Sequence, residues 1–289
     1  MTPSPGSDHH FRGILLIVAA VSTFAVLDTI AKYLSRTYPV PLIVWVRYAM
    51  HVLVMLLFVA PRLRWRLVTS LRPGLQVIRG VVLAASSLLF FTGLAFMPIA
   101  EASAITFLAP LLVTAMSAYF LRERVRRSAW VALAAGFVGV LFIVRPGSAV
   151  FSPAVALPLA TAVCFATYQL LTRRLAGVDS TLATLFIGAL VGTLVVSFLL
   201  PFYWALPQSA FHGFLFVMLG VLGAAGHFVL IRAFEYAPPS VLAPFVYTQL
   251  VTVLALGYLV FGEFPDGWSL VGMAIIVLSG AWIAARQGR

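Results

Sequence analysis

Four short stretches of the chain place a polar side chain close to an aromatic ring, which suits them to bind a small molecule. They are Ser86, Ser87 and Phe90; Thr106 and Phe107; Tyr168 and Gln169; and Tyr247 and Gln249. Apolar walls with a few placed polar groups are typical of pockets for amphipathic small molecules. The same hydroxyls and amides can instead hydrogen-bond neighbouring helices, each contributing about 0.6 kcal/mol. The sequence leaves both interpretations open.

A second set of residues can exchange protons. Asp28, Glu101, Glu235 and His227 lie within or beside long apolar stretches, where ionisable side chains are costly and often functional. An unperturbed histidine titrates near neutral pH, so His227 is a candidate substrate contact or proton carrier, with a hydrogen-bonded packing role as the alternative. Glu101 opens an apolar stretch, where a carboxylate also stabilises a helix N-terminus. These four residues are the candidates for proton coupling.

Known motifs for metals, nucleotides and catalytic nucleophiles do not occur in the sequence. There is no HExxH, no CxxC, no G-x-S-x-G elbow and no Walker loop, and Cys164 is the only cysteine. We therefore predict no metal, no cofactor, no catalytic residues and no use of ATP. An intramembrane lipid enzyme is the less favoured alternative, because the acidic residues within the apolar stretches are dispersed.

The composition indicates whether these residues lie in a soluble protein or in a membrane protein. Hydrophobic residues make up 62% of the 289 residues and charged residues 9%, with a mean hydropathy of +1.07. A soluble domain has about a quarter charged residues, and a disordered chain has low hydrophobicity. Both classes are excluded, and the chain is predicted to be an all-α integral membrane protein.

The net charge of +11 comes from 18 arginines and Lys32. Most of these residues stand in short clusters between apolar runs, as in the cytoplasmic loops of membrane proteins. A nucleic-acid partner is therefore not expected, whereas the lipid bilayer is.

The apolar runs predict ten transmembrane helices of about 20 residues each. The predicted spans are 13–34, 40–60, 75–95, 101–121, 129–145, 154–172, 181–200, 213–233, 240–260 and 268–285. Gly188 and Gly192 form a GxxxG pattern in the seventh span, which predicts close helix packing within the chain or between two copies. A monomer or a homodimer is expected.

The distribution of arginines predicts the orientation. A cytoplasmic N-terminus, with residues 1–12 as a tail, places 14 of the 19 basic residues inside. The loops around Glu263 and Asp266 and residues 201–212 contain no basic residue and are predicted to lie outside. Both termini are then cytoplasmic, in a bacterial-type inner membrane.

The chain repeats itself at an offset of about 140 residues. This offset matches Pro98 with Pro238, Phe107 with Tyr247, and Glu123 with Glu263, and an offset of 141 matches Gly139 with Gly280. The repeats span residues 13–147 and 153–289, with five predicted helices each. Because five is odd, the second repeat must cross the membrane in the opposite sense, as in many transporters. Gene duplication can also build a passive bundle.

Several motifs resemble the EamA repeat of the drug/metabolite transporter superfamily. They are GLAFMP at residues 93–98, EASA at 101–104, TFLAP at 106–110, FLRE at 120–123, APPSVLAP at 237–244 and FGE at 261–263. Within the superfamily the chain resembles the YddG-type bacterial amino-acid exporters. One departure is that Gln249-Leu250 stands where the first half has Ala109-Pro110, which predicts that the ninth helix lacks a kink.

This resemblance implies a carrier with a central cavity lined by the third, fourth, eighth and ninth helices. The substrate-binding residues would be Ser86, Phe90, Thr106, Phe107, Tyr168, His227, Tyr247 and Gln249. Phe107 and Tyr247, as repeat mates, would stand on opposite walls and hold a flat side chain between them.

The implied function is a secondary transporter that works by alternating access. It would export small amphipathic metabolites across the inner membrane, with aromatic or neutral amino acids as the favoured substrates. Drugs, nucleotide sugars or other metabolites are the alternative cargo. A channel is less suited to cavity candidates as apolar as these.

Overall fold

The computed structural model describes residues 5–63, 67–120, 127–145, 152–175, 178–237 and 239–287. These residues form helices joined by short turns. Glu123, with three of its neighbouring arginines, and Pro238 lie outside the described residues.

The described residues form fourteen α-helices, with a short 3₁₀ turn at Pro153–Val155. The first seven are α1 (Pro5–Ser35), α2 (Val40–Phe58), α3 (Ala60–Leu63), α4 (Pro73–Phe96), α5 (Ile99–Thr106), α6 (Ala109–Phe120) and α7 (Arg127–Val144). The second seven are α8 (Ala156–Leu175), α9 (Thr181–Ser197), α10 (Leu200–Tyr203), α11 (Ala210–Tyr236), α12 (Pro239–Val246), α13 (Thr248–Phe261) and α14 (Gly267–Gln287).

The helices coincide with the predicted spans to within a few residues, except at the N-terminus. Seven helical segments are long and apolar enough to cross a membrane, and three shorter apolar helices cover residues 129–144, 181–197 and 267–283. All ten stand where a span was predicted. An all-helical membrane fold is thereby confirmed, while the number of crossings stays a prediction.

The first helix begins earlier than the first predicted span, at Pro5 instead of residue 13. The cytoplasmic tail of residues 1–12 stays a prediction. Proline suits the first helical turn, because the N–H that it lacks would have no partner there.

The chain divides into two compact units. Unit 1 comprises Met1–Thr29, Met97–Val155 and Ala225–Arg289, and unit 2 comprises Ile30–Phe96 and Ala156–Ala224. Each unit draws on both sequence halves, so neither corresponds to one predicted repeat.

Glycines allow close helix contacts inside each unit. In unit 1, a Cβ added at Gly139 of α7 would lie 2.7 Å from the Gly272 carbonyl of α14, so the two backbones touch. In unit 2, a Cβ at Gly192 of α9 would meet the Tyr48 ring at 3.0 Å, and one at Gly188 would meet Nη1 of Arg79 at 3.1 Å. The GxxxG pattern thus serves packing within the chain, which confirms one of its two predicted roles.

Candidate functional site

Two apolar stretches of unit 1 are interrupted at matching positions of the two sequence halves. The first breaks between α5 and α6, at Phe107 and Leu108, and the second between α12 and α13, at Tyr247. In the first, Pro110 has no N–H to donate to the Thr106 carbonyl. Interrupted transmembrane helices are a common element of substrate sites in secondary transporters.

The second interruption consists of the single residue Tyr247, and the absence of a kink in the ninth span stays a prediction. There the Thr248 hydroxyl donates a hydrogen bond to the Phe245 carbonyl at 2.6 Å. Such local side-chain bonds compete with the helical backbone ladder. Pro244 lies one turn earlier and cannot donate a backbone hydrogen bond. The turn at Tyr247 therefore forms without a proline at position 250, and its backbone keeps right-handed helical angles (φ −68°, ψ −12°).

Phe107 and Tyr247 are in direct contact at the two interruptions. Their ring centroids are 5.4 Å apart and the ring planes are inclined by 46°. The two rings touch each other instead of standing on opposite walls of a cavity, so a flat group could lie between them only if they separated. The substrate role of the two repeat mates stays a prediction.

Tyr247 depends on a glycine of α14. Its side chain is 7% exposed, and a Cβ added at Gly280 would overlap its hydroxyl oxygen. The ring thus lies against the bare backbone of α14.

Polar groups of α1 and α13 accompany this aromatic pair. Gln249 Nε2 donates to Oδ2 of Asp28 over a long 3.4 Å, and Asp28 is only 9% exposed. The hydroxyls of Ser22 and Thr252 are 3.2 Å apart. Asp28 and Gln249, which were predicted for two different roles, are therefore neighbours in unit 1.

His227 is held by a close helix contact. Its ring packs edge-on against Phe24 with centroids 4.9 Å apart, and a Cβ at Gly226 would lie 2.7 Å from the Phe24 ring. Thr106, also in unit 1, donates its hydroxyl to the Ala102 carbonyl at 3.0 Å.

Glu101 lies beside the start of α14. The Ser269 hydroxyl donates to Oε1 of Glu101 at 3.0 Å, while the Ser269 backbone N–H donates to Oδ1 of Asp266 at 2.9 Å. Asp266 therefore caps α14, and it also pairs with Arg145 at 2.6 Å. The hydrogen bond from the Ser269 backbone N–H has the largest effect on Asp266 and holds its pKa below the ordinary value. The Ser269 side chain and Arg145 lower the pKa of Asp266 further.

Glu235 differs from the other proton-coupling candidates. It is exposed near the end of α11 and forms an ion pair with Arg232 at 2.5 Å. This geometry suits a surface contact.

The remaining predicted residues belong to unit 2. Ser86 is buried on α4, and the Phe90 ring lies 6.1 Å from that of Phe91. The Tyr168 ring stacks on Phe165 at 5.6 Å with an interplanar angle of 16°.

Sequence reasoning missed the most strongly bonded polar residue of unit 2. Arg79 is 2% exposed, and its guanidinium donates to Thr172 Oγ1 at 2.7 Å, the Thr184 carbonyl at 3.0 Å and the Tyr168 hydroxyl at 2.7 Å. A second membrane-embedded arginine, Arg47 of α2, donates to Ser87 Oγ at 2.9 Å. Their positions inside apolar stretches were the available signal.

Comparison with known proteins agrees with this architecture. The model of the EamA-like transporter family matches residues 11–145 and 152–285. A crystal structure of a protein at 21% sequence identity superposes with a TM-score of 0.65, covering 98% of this chain and 99% of that one, and so shares the fold.

Three curated relatives carry names of transported compounds. The chain is 28% identical over 271 residues to an S-adenosylmethionine uptake transporter of Rickettsia prowazekii, covering 93% of this chain and 90% of the relative. It is 29% identical to a riboflavin transporter of Vibrio cholerae, covering 95% and 93%. It is 30% identical to the pseudopaline exporter CntI of Pseudomonas aeruginosa, covering 92% and 94%. The chain is therefore a multi-pass membrane transporter that belongs to the EamA-like transporter family.

Proposed function

We propose that this protein is a secondary carrier of small amphipathic metabolites that contain a planar ring. It has ten transmembrane helices in two inverted repeats, works by alternating access, and lies in a bacterial inner membrane with both termini in the cytoplasm. One observation carries the proposal: the two interruptions of unit 1 bring Phe107 and Tyr247 into contact, with centroids 5.4 Å apart.

The physical basis is the pairing of an aromatic surface with backbone groups released from the helical ladder. A planar ring stacks on or packs edge-on to an aromatic side chain, which contributes about 0.5–1.5 kcal/mol beyond burial. The Thr106 carbonyl, to which Pro110 cannot donate, and the Gln249 amide then orient the polar part of the ligand. The class of substrate is thus set by shape and amphipathicity.

The named relatives widen the class beyond amino acids. S-adenosylmethionine and riboflavin both contain a flat heterocycle, so the aromatic pair suits such compounds as well as aromatic side chains. Export of aromatic or neutral amino acids is the narrower form of the proposal. A secondary carrier follows the combined gradients of its cargo and its coupling ion, so direction depends on conditions.

We further propose that Asp28 couples transport to protons. It is nearly buried within α1 and accepts a hydrogen bond from Gln249, next to the Tyr247 interruption. Glu101 and His227 of unit 1 are the next candidates, and Glu235 provides an exposed comparison. Asp28→Asn is expected to abolish accumulation driven by a pH gradient, whereas Glu235→Gln retains it.

The test uses purified protein in ATP-free proteoliposomes. Vesicles preloaded with one unlabelled compound are mixed with the same compound in labelled form, using S-adenosylmethionine, riboflavin, tryptophan, phenylalanine and leucine in turn. Exchange of one or more ring-containing compounds well above leucine is expected, with and without a pH gradient. Folded protein that exchanges none of the five, or prefers leucine, would contradict the proposed class of cargo.

A further inference from the structure

Unit 2 is strongly basic. Its segments, residues 30–96 and 156–224, contain ten basic residues and one acidic residue, Asp179. Arg47 and Arg79 lie within α2 and α4, whereas Lys32, Arg173 and Arg174 lie in the last turns of α1 and α8. Asp179 is thus the only carboxylate with which unit 2 could neutralise them.

Asp179 is bonded to groups other than Arg47 and Arg79. It accepts hydrogen bonds from the Ser70 hydroxyl at 2.5 Å, the Leu71 backbone N–H at 2.8 Å and Gln76 Nε2 at 2.8 Å. In the part of the chain that the structure describes, neither Arg47 nor Arg79 forms an ion pair with a carboxylate. Both guanidinium charges are therefore held by neutral groups.

Arg79 serves to position Tyr168. All three of its nitrogens donate to oxygens of unit 2, and its guanidinium carbon lies 4.5 Å from the centre of the Tyr168 ring. Since the Tyr168 oxygen accepts a charge-assisted hydrogen bond from Arg79, its own O–H proton remains to be donated. Tyr168 is only half-buried, so this donor can reach a ligand.

Arg47 is bonded to a hydroxyl group of α4. In the described part of the chain its guanidinium, which has five N–H donors, donates to Ser87. Tyr48 fixes Ser87 from the other side, with the two hydroxyl oxygens 2.7 Å apart. The guanidinium also lies 5.6 Å from the centre of the buried Phe91 ring. Arg47 is thus oriented toward the buried face of α4.

The two groups contact successive turns of α4. The Tyr48 hydroxyl, which shares Ser87 with Arg47, donates to the Leu83 carbonyl at 3.2 Å, and Leu83 lies one turn after Arg79, which holds Tyr168. A planar guanidinium and a phenol are well matched to a carboxylate or phosphate oxygen. A charged side chain without an ionic partner is costly in the bilayer, and such residues commonly serve a function.

We propose that Arg47 and the Tyr168 hydroxyl, positioned by Arg79, form an oxyanion site within unit 2. This inference rests on the proposed transport function and adds to it that the cargo of this site carries a carboxylate or a phosphate. Arg47 contacts the anion, and Arg79 acts through Tyr168.

The test compares anionic and neutral probes on the purified full-length protein. The probes are benzoate against benzamide, and riboflavin 5′-phosphate against riboflavin, with the thermal unfolding midpoint as the readout, because a ligand that binds the folded state raises it. At least one anion is expected to raise the midpoint more than its neutral partner. Which anion does so separates a carboxylate from a phosphate.

Three variants test the residues. Arg47→Gln should weaken apparent anion affinity about thirtyfold or more, and Tyr168→Phe should weaken it less. Arg127→Gln, which removes an exposed arginine of α7, should leave it unchanged. Without ligand, Arg47→Gln should unfold at or above the temperature of the parent, since it removes an uncompensated charge, whereas a purely structural role predicts a lower midpoint.

Either of two results would overturn the proposal: no preference of the parent for an anion, or an unchanged preference in Arg47→Gln. Exchange of neutral riboflavin that Arg47→Gln leaves intact would retain the transport function while the anion site fails. If no compound is exchanged but Arg47→Gln loses the preference for an anion, the anion site is supported and the proposed transport function is contradicted.

Discussion

Tyr247 occupies its position only because residue 280 is a glycine. A methyl group at Gly280 would overlap the Tyr247 hydroxyl, so Gly280→Ala should destabilise the protein by about 1–3 kcal/mol, as overpacking does. Gly267→Ala is the control, because a Cβ there meets nothing within 4 Å. The cost of Gly280→Ala should largely disappear in a Tyr247→Ala background, measured as a double-mutant cycle of unfolding in detergent. An unchanged cost in that background would contradict the contact.

The same tyrosine and its neighbour Gln249 should matter for transport. Tyr247→Ala and Gln249→Ala each remove a group that the proposed substrate contacts, and the expected loss is about 1–3 kcal/mol, or about tenfold in apparent affinity. Exchange in proteoliposomes measures it. Tyr258→Ala, which removes a 60% exposed tyrosine of the same helix, is the matched control. If both site variants exchange every compound as the parent does, these residues only pack helices.

At the residue scale, sequence reasoning found the aromatic positions but not their contacts. The repeat offset identified Phe107 and Tyr247 as partners, and the structure places their rings together. The hydrogen bonds of Arg79 could not be predicted, because its partners Thr172 and Thr184 lie about a hundred residues away in sequence. Both are ordinary hydroxyl residues of apolar helices. A hydrogen-bonded arginine cannot be told from a lipid-facing one by periodicity alone.

Asp179 connects two helix junctions of unit 2, the one between α3 and α4 and the one between α8 and α9. Burial raises the pKa of Asp179, but the hydrogen bonds from Ser70, Leu71 and Gln76 outweigh it and hold the pKa below its ordinary value of 3.8. A lowered folded-state pKa stabilises the fold above the unfolded-state value, and this stabilisation is lost as pH falls through the lowered pKa.

Asp179→Asn should therefore lower the unfolding midpoint near neutral pH. The difference from the parent should shrink below about pH 4, where the unfolded-state carboxyl becomes protonated. Glu235→Gln, which changes an exposed carboxylate, should leave the pH profile of the parent in place. A difference between Asp179→Asn and the parent that stays constant down to pH 2 would show that the carboxylate charge does not matter.

At the element scale, the positions of the helices followed from the sequence because prolines and glycines punctuate the apolar runs. The Pro73-Gly74 pair and the turn before Gly267 mark helix starts that the structure reproduces. The interruption at Tyr247 did not follow, because it involves a hydroxyl bonded to a carbonyl three residues back. Threonine is common in intact helices, so its presence at position 248 carries no such signal.

For the whole molecule, the arginine distribution predicts orientation. Reporter fusions near residues 68, 125 and 289 should report the cytoplasm, and fusions near residues 205 and 265 the opposite side. The reason is that basic loops are retained inside. A cytoplasmic signal at residue 265 would remove the argument for inverted repeats, since the second half would then have the wrong orientation.

The basic character of unit 2 has an electrical consequence. A charge that moves through a membrane potential of 100 mV exchanges about 2.3 kcal/mol with the field. With no carboxylate paired to Arg47 or Arg79 among the described residues, the empty carrier presents positive charge to that field, and binding a monovalent anion reduces it. The reorientation of the empty carrier should then depend on voltage more steeply than that of the loaded one, which transport rates measured in vesicles at a series of imposed potentials would reveal. In a cell with a negative interior, the membrane potential would favour the state in which the empty site faces the cytoplasm.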